Sequence, residues 1–205
     1  MNNKIIAALD GMDFLKSLEV LEPIRDKIYA IKINHPLLSH ISDYKKEGYK
    51  IFADLKLYDI PNTIEKVIEW LIEQNVDMTT IHYENGEDCL DKISILKVNI
   101  KLLLVTHLTS LPALSMQQNE IYKKLTYNGN HPYNHYDLIM SPLDLKTFKE
   151  YDPHNRFKIY CPGIRLTDRK DDQLRVATPQ EAIENGADYL IIGRPLWENP
   201  IECFL

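Results

Sequence analysis

"FADLKLYDIPNT", residues 52–63, sets three charges, Asp54, Lys56 and Asp59, into a run that otherwise has the apolar character of a buried strand. In a strand, residues two apart point to the same side, so Phe52, Asp54 and Lys56 share a face. Pro61 has no amide hydrogen to give a ladder and pushes Ile60 into an extended conformation, so the strand stops there. Asn62 or Thr63 is then expected to cap the helix that follows. Charges gathered at the C-terminal end of a strand, just ahead of a helix, are the pattern by which parallel barrels build their sites.

Working outward, seven further apolar or β-branched runs have the same look: "KIIAAL", "KIYAIKI", "DMTTIHY", "KLLLVTHL", "YDLIMS", "FKIYC" and "ADYLIIG". Continuous apolar strands suit a parallel sheet covered on both faces. Between them lie helical patterns. In "NTIEKVIEWLIEQN" the residues Ile64, Val67, Ile68, Leu71 and Ile72 fall on one face of a helix. "TPQEAIENGA" carries a cap at Thr178, Pro179 at the first helical position and Gly186 at the stop. The polar stretch "YNGNHPYNHY" within 110–136 reads as a loop. The alternation predicts an α/β fold, a single (β/α)8 TIM barrel over residues 1–205 forming one catalytic domain, with a doubly wound sheet as the alternative.

At 205 residues, 44% hydrophobic and 26% charged, the chain has the composition of an ordinary globular enzyme. A net charge of -6 argues against nucleic acid or an anionic membrane as partner, since both are held by accumulated Lys and Arg. Cys89, Cys161 and Cys203 are too few and too scattered for a disulfide framework or a zinc site. No apolar run approaches the ~20 residues that span a bilayer. The composition reads as a cytoplasmic protein.

Two more strands carry charge near their ends, Asp10 after the first and Lys32 in the second. Lys32, Asp54, Lys56 and Asp59, with Asp10 adjacent, therefore form a candidate cluster of alternating sign. Ion pairs that merely brace a barrel mouth are the plainer alternative, but buried charge is costly unless paired or used. His82 and His107 lie on strands four and five without the carboxylates of a metal motif and read as hydrogen-bonded core or loop residues. His131 and His135 flank Pro132, which disfavours a helical zinc pair. Trp70 and Tyr83 read as packing residues.

"DLKLYDIPNT" resembles the signature of the orotidine 5′-monophosphate decarboxylase family. "PGIR" at 162–165, "DDQLRVATP" at 171–179, "GADYLIIGRP" at 186–195, and "AALD" and "IKI" near the N-terminus resemble that family's bacterial form in order and spacing. The resemblance implies removal of the carboxylate at carbon 6 of the pyrimidine ring and its replacement by a proton, yielding uridine 5′-monophosphate. Neither metal nor organic cofactor is implied. Lys56 would then be the proton donor, and Asp54 would lie near the departing carboxylate, holding Lys56 charged and oriented. Lys32 would balance Asp54 and, with Asp10, bind a ribose hydroxyl. Asp59, Ile60 and Thr63 would reach into a partner's site, which implies a homodimer; a turn residue before Pro61 is the simpler reading of Asp59. The phosphate would be held by Pro162, Arg165 and Gln173 on one side, and by Gly193 and Arg194 on the other. Thr109 would touch the pyrimidine edge, unless it only caps a helix near Pro112.

The chain departs from the family's pattern at Asn34, where a glycine is usual. It departs again at "HYENGE", where the family usually has a glycine pair after the strand-four histidine, and in the 110–140 connection. Asn tolerates positive φ, which is how both glycine sites are expected to be absorbed. Two rivals remain: a magnesium-dependent sugar-phosphate lyase with a related Asp-x-Lys-x-x-Asp pattern, and a catalytically silent phosphate-binding barrel.

Overall fold

The computed structural model describes residues 3–108, 115–127, 132–166, 175–198 and 203–204. Eight strands run in chain order: β1 (Ile5–Ala8), β2 (Ala30–Ile33), β3 (Ile51–Leu57), β4 (Met78–His82), β5 (Lys101–Val105), β6 (Asp137–Ile139), β7 (Ile159–Cys161) and β8 (Tyr189–Ile192). Each pairs in parallel with the next, and β1 pairs with β8, so the sheet closes into a barrel and the doubly wound alternative falls away. The helices between and after the strands are α1 (Phe14–Leu21), α2 (Ile41–Lys46), α3 (Pro61–Glu73), α4 (Glu87–Ser94), α5 (Ser115–Thr126), α6 (Leu145–Tyr151), α7 (Pro179–Glu184) and α8 (Arg194–Glu198). No described helix is long and apolar enough to cross a membrane.

Strand alternation divides the apolar residues into two cores. Ile6 and Ala8 of β1, Phe52 of β3, Leu103 and Val105 of β5, and Ile191 of β8 point into the barrel. Their neighbours Ile5, Ala7, Ile51, Ala53, Leu102, Leu104, Leu190 and Ile192 point outward and bury against the helices. With both faces covered, a charged side chain inside a strand is costly unless it is paired. Tyr29, Tyr189 and Tyr160 stack successively, with centroids 4.6 Å apart in each pair. Tyr189 opens β8 and Tyr29 immediately precedes β2, so this stack fills the N-terminal end and leaves the C-terminal end as the open mouth.

Local signals explain some helix boundaries. Thr178 caps α7 in a full capping box with Glu181, and Pro179 takes the first position, as the sequence predicts. The start of α3 differs. Ile60 is its N-cap residue and has no side-chain acceptor to offer, Pro61 takes the first position, and Asn62 and Thr63, expected to cap, lie within the first turn. In the 110–136 connection residues 115–126 form α5, ahead of the stretch read as a polar loop, within which Pro132–His135 form a short 3-10 turn.

Candidate active site

The barrel register explains how the charged cluster assembles. Lys32 lies laterally beside Ala8 of β1 and Phe52 of β3. Asp10 and Asp54 are each two residues further along, on the same faces, so both carboxylates stand one layer nearer the mouth. A long cationic side chain at position 32 rises between them. Its Nζ lies 2.9 and 2.8 Å from the two oxygens of Asp10 and 3.2 Å from Asp54 Oδ2. Lys56 Nζ approaches the same Asp54 oxygen at 2.7 Å. The outcome is an unbroken chain, Asp10–Lys32–Asp54–Lys56, with the signs alternating at every step.

The inner members are withdrawn from solvent. Side-chain exposure is 9% for Lys32 and 11% for Asp54, against 44% for Lys56. Burial is the largest influence on Asp54 and favours its neutral form, yet the Lys32 and Lys56 charges and the hydrogen bonds of Lys56 and Thr80 prevail, so its pKa falls below 3.8. Burial likewise works hardest against the charge of Lys32, and Asp54 and Asp10 together reverse it, lifting its pKa above 10.5. Both groups are ionised across the neutral range.

Two features of β3 had no sequence signal. Its pairing with β4 shifts register between Ala53 and Leu57, and Lys56 takes φ +48, in the left-handed region where residues other than glycine are uncommon. The strand end is tied by side chains of the neighbouring elements. Thr80 of β4 bonds both to Asp54 Oδ1, at 2.9 Å, and to the Lys56 backbone N–H, at 2.8 Å. Asn85, in the turn after β4, donates to the carbonyls of Leu57 and His82 at 2.8 Å each and accepts from the Asp59 N–H at 3.2 Å. Asn85 sits in the stretch where the sequence departs from its resemblance, and its amide spans both loops.

Asn34 behaves differently from expectation. Its φ is −127, in the extended region, so no glycine-like conformation is needed there. Its side chain instead donates to Asp10 Oδ1 at 2.8 Å. At the second departure the positive φ belongs to Gly86, at +82.

A cavity of about 690 Å³ opens over the chain of charges. Asp10, Lys32, Asp54 and Lys56 line it together with the apolar Phe52, Val105, Leu108, Ile139 and Ile191. Pro162, Arg165, Gly193 and Arg194 line it from the loops after β7 and β8. Strands β3 and β7 stand four apart in an eight-stranded ring, so the arginine-bearing wall faces the Lys56 wall. A Cβ at Gly193 would come no nearer to the protein than 3.6 Å, from the Ala8 carbonyl, so packing within the protein does not require glycine there.

The remaining sequence-predicted residues fall outside this cluster. Asp59 is exposed, its carboxylate accepting from the Ile60 N–H at 2.6 Å, and it does not join the four-membered chain of charges. Ile60 is 65% exposed and Thr63 lies on the outer face of α3 beside Trp70. Trp70, read as a packing residue, is itself 41% exposed. Tyr83 does pack, stacking on Tyr133 with centroids 5.4 Å apart. His82 is not the satisfied histidine expected: among the described residues its buried Nδ1 has no hydrogen-bond partner, and Glu84 is 3.9 Å away. Burial is the main cause of its lowered pKa; Glu84 opposes the shift, while Lys56 and His107 add to it. Thr109, Gln173 and His131 lie outside the described residues.

A family model for the orotidine 5′-phosphate decarboxylase / HUMPS family matches residues 3–201. The chain is 34% identical to the orotidine 5′-phosphate decarboxylase of Wolbachia pipientis subsp. Culex pipiens, over 96% of this chain and 92% of that one. It is also 34% identical to the enzyme of the same name from Fusobacterium nucleatum subsp. nucleatum, over 100% and 94%. Its fold resembles the crystal structure of orotidine 5′-phosphate decarboxylase from Lactobacillus acidophilus, with a TM-score of 0.76, 25% identity, and coverage of 99% and 95%.

The shifted groups define a pH window for stability. Asp54, with its pKa lowered, contributes stability that is fully present above its unfolded value near 3.8 and is lost as pH falls through the lower folded value. Lys32, with its pKa raised, contributes stability that is fully present below about 10.5 and is lost as pH rises through the higher folded value. Urea unfolding of the wild type should therefore show no contribution from this pair to the pH dependence between about pH 5 and 9. In Asp54→Asn the decline below about pH 4 should become shallower. An unchanged acid limb in that variant would show that Asp54 is not held ionised by its lysines.

Proposed function

The chain belongs to the orotidine 5′-phosphate decarboxylase / HUMPS family, and we propose that within it the protein acts as the decarboxylase, turning orotidine 5′-phosphate into uridine 5′-monophosphate with Lys56 as the proton donor. The observation that carries this reading is the alternating chain Asp10–Lys32–Asp54–Lys56 beneath an apolar-walled cavity whose opposite wall holds Arg165 and Arg194. In this reading residues 1–205 act as one catalytic unit.

The chemistry needs a cation where negative charge develops. When the bond from carbon 6 to the carboxylate breaks, carbon dioxide leaves and the electron pair stays on the ring carbon. An ammonium beside that carbon stabilises the pair and then donates a proton to it, which restores a neutral C–H and leaves a lysine amine to recover its proton from water. Lys56 is the more exposed of the two lysines, 44% against 9% for Lys32, and it lines the cavity from the strand end. Asp54 holds that ammonium in place through their 2.7 Å ion pair. A substrate carboxylate about 4 Å from Asp54 would also meet repulsion of roughly 4 kcal/mol at an effective dielectric near 20. That repulsion is relieved as carbon dioxide departs. Phe52, Val105, Leu108, Ile139 and Ile191 offer the ring a dry surround in which these charges act strongly.

Lys32 and Asp10, with Asn34 behind Asp10, offer donors and an acceptor for a ribose hydroxyl. At the other wall, the planar forks of Arg165 and Arg194 suit a phosphate, and the room at Gly193 lets backbone approach it. Binding energy gathered at that remote phosphate serves to position the ring. The magnesium-dependent rival needs carboxylates open to a metal ion. Here Asp54 already accepts from Lys56 and Thr80 beside Lys32, and Asp10 accepts from Lys32 and Asn34, which favours the metal-free route. The silent barrel would have no use for a paired Lys56 at this position.

The homodimer belongs to the same reading. Tyr58 and Ile60 are exposed large apolar residues on one turn, followed by a groove along α3 formed by Asn62, Thr63, Lys66, Val67 and Trp70. A second copy covering this edge would bury them and carry Asp59, Ile60 and Thr63 to the partner's cavity.

Ultraviolet absorbance of orotidine 5′-phosphate mixed with the protein in excess chelator should change as the ring loses its carboxylate. Lys56→Ala should slow that change by at least about 10²–10⁴, the share of general-acid catalysis alone. A rate within tenfold of wild type would mean that another group supplies the proton. Abolition of activity by chelator would turn the reading toward the metal-dependent branch.

Mixing tests the shared site. Lys56→Ala and Asp59→Ala proteins, each impaired alone, should regain activity when their subunits exchange, because one site of the mixed dimer then holds both native residues. Failure to regain activity, in a mixture proven to exchange subunits, would confine Asp59 to its own chain.

A further inference from the structure

Thr79 and Thr80 are adjacent on β4, and both are buried, at 0% and 1% exposure. Strand alternation sends them to opposite faces, and their hydroxyls do different things. Thr79 donates to the Ala53 carbonyl at 2.9 Å, a bond between two strands and nothing more. Thr80 donates to Asp54 Oδ1 at 2.9 Å and accepts from the Lys56 N–H at 2.8 Å. A hydroxyl has one proton to give, so the carboxylate takes it and a lone pair receives the amide.

The second bond matters because of the backbone it supports. Between Ala53 and Leu57 the β3–β4 register shifts, and Lys56 sits at φ +48. At that shift the regular ladder gives way, and Thr80 Oγ1 serves as acceptor for the Lys56 amide. The left-handed turn at Lys56 in turn sets where its side chain leaves the strand, while the bond to Oδ1 fixes the carboxylate so that Oδ2 meets Lys56 Nζ.

We infer that Thr80 is a positioning residue for the reaction, its single hydroxyl setting both partners of the Asp54–Lys56 pair: the carboxylate directly, and the ammonium through the main chain. The inference rests on the reading of Lys56 as proton donor. Thr80 stays one residue removed from the substrate. Its effect falls on the chemical step, because misplacing a reacting group by about 1 Å can cost on the order of 10²-fold in rate.

The test compares Thr80→Val, Thr80→Ser and Thr79→Val with the wild type in steady-state kinetics on orotidine 5′-phosphate. Thr80→Val keeps the shape and removes the hydroxyl. It should lower kcat by about 10- to 100-fold with KM little changed. Thr80→Ser should restore most of the rate. Thr79→Val, which removes a hydroxyl just as buried and bonded once to β3, at the Ala53 carbonyl, should keep kcat near wild type even if it loses stability. Loss of one hydrogen bond to ionised Asp54 should also move the acid limb of the kcat profile to higher pH in Thr80→Val and leave it in place in Thr79→Val. Should Thr80→Val fail to fold, Thr80→Ala removes the same hydroxyl without apolar bulk and carries the comparison. Wild-type kcat in the Thr80 variants, or an equal loss in Thr79→Val, would overturn the inference. Lys56→Ala run in parallel separates the causes. If it is inert while the Thr80 variants are fully active, only the role of Thr80 falls; if it retains the rate, the proton donor and the positioning role fall together.

Discussion

Asp54 is the constraint around which the mouth of this barrel is arranged. A carboxylate with 11% of its side chain exposed stays ionised only if its surroundings answer the charge. Three groups on three elements do so: Lys32 from β2, Lys56 further along β3, and the Thr80 hydroxyl from β4, while Asp10, just beyond β1, balances Lys32. The set contains two carboxylates and two ammoniums and so carries no net charge, which limits the cost of burying it. Removing one member would leave a partner uncompensated, and loss of half of a buried pair commonly costs about 3–5 kcal/mol. The network is thus a device for keeping one cation, Lys56, fixed at the edge of a cavity rather than a source of stability for its own sake.

The barrel supplies what such a device needs. Parallel strands covered on both faces favour apolar side chains along their length, with Thr79 and Thr80 of β4 as hydrogen-bonded exceptions, and the tyrosine stack fills the N-terminal end. Charge collects at both ends of the strands, as in the Lys101–Asp137 pair where β5 and β6 begin, and the chain through Asp54 stands at the C-terminal rim. Adjacent strands lie about 4.8 Å apart, so residues at matching heights on β1, β2 and β3 fall naturally within ion-pair reach of long side chains. The opposite rim, from β7 and β8, brings arginines and glycine backbone to the same cavity. A ligand that is anionic at one end and carries its reacting carbon at the other matches these two walls.

Much of this was legible in the sequence, for definable reasons. The eight strands were readable because each is a short apolar run, and α7 because Thr178, Pro179 and Glu181 form a complete local start signal. Asp10, Lys32, Asp54 and Lys56 stood out because each places a charge at or beside a strand end. What escaped were interactions that depend on register. Thr80 looks like any β-branched strand residue until the shift between Ala53 and Leu57 sets it opposite Lys56. The positive φ expected at Asn34, on the logic that asparagine replaces glycine, is absent there, whereas Lys56, which carried no such signal, has one. Asn34 and Asn85 act through side-chain amides whose partners, Asp10, Leu57, His82 and Asp59, are distant in sequence. α5 was obscured because its segment, "SMQQNEIYKKLT", is polar and lacks a strong apolar stripe.

The most direct test of the account is a crystal structure of the protein with uridine 5′-monophosphate. The account predicts the ring carbon 6 within about 3–3.5 Å of Lys56 Nζ, the ribose at Asp10 and Lys32, and the phosphate against Arg165, Gly193 and Arg194. A nucleotide bound in the reverse sense, with its phosphate at the lysines or its carbon 6 out of reach of Lys56, would contradict it.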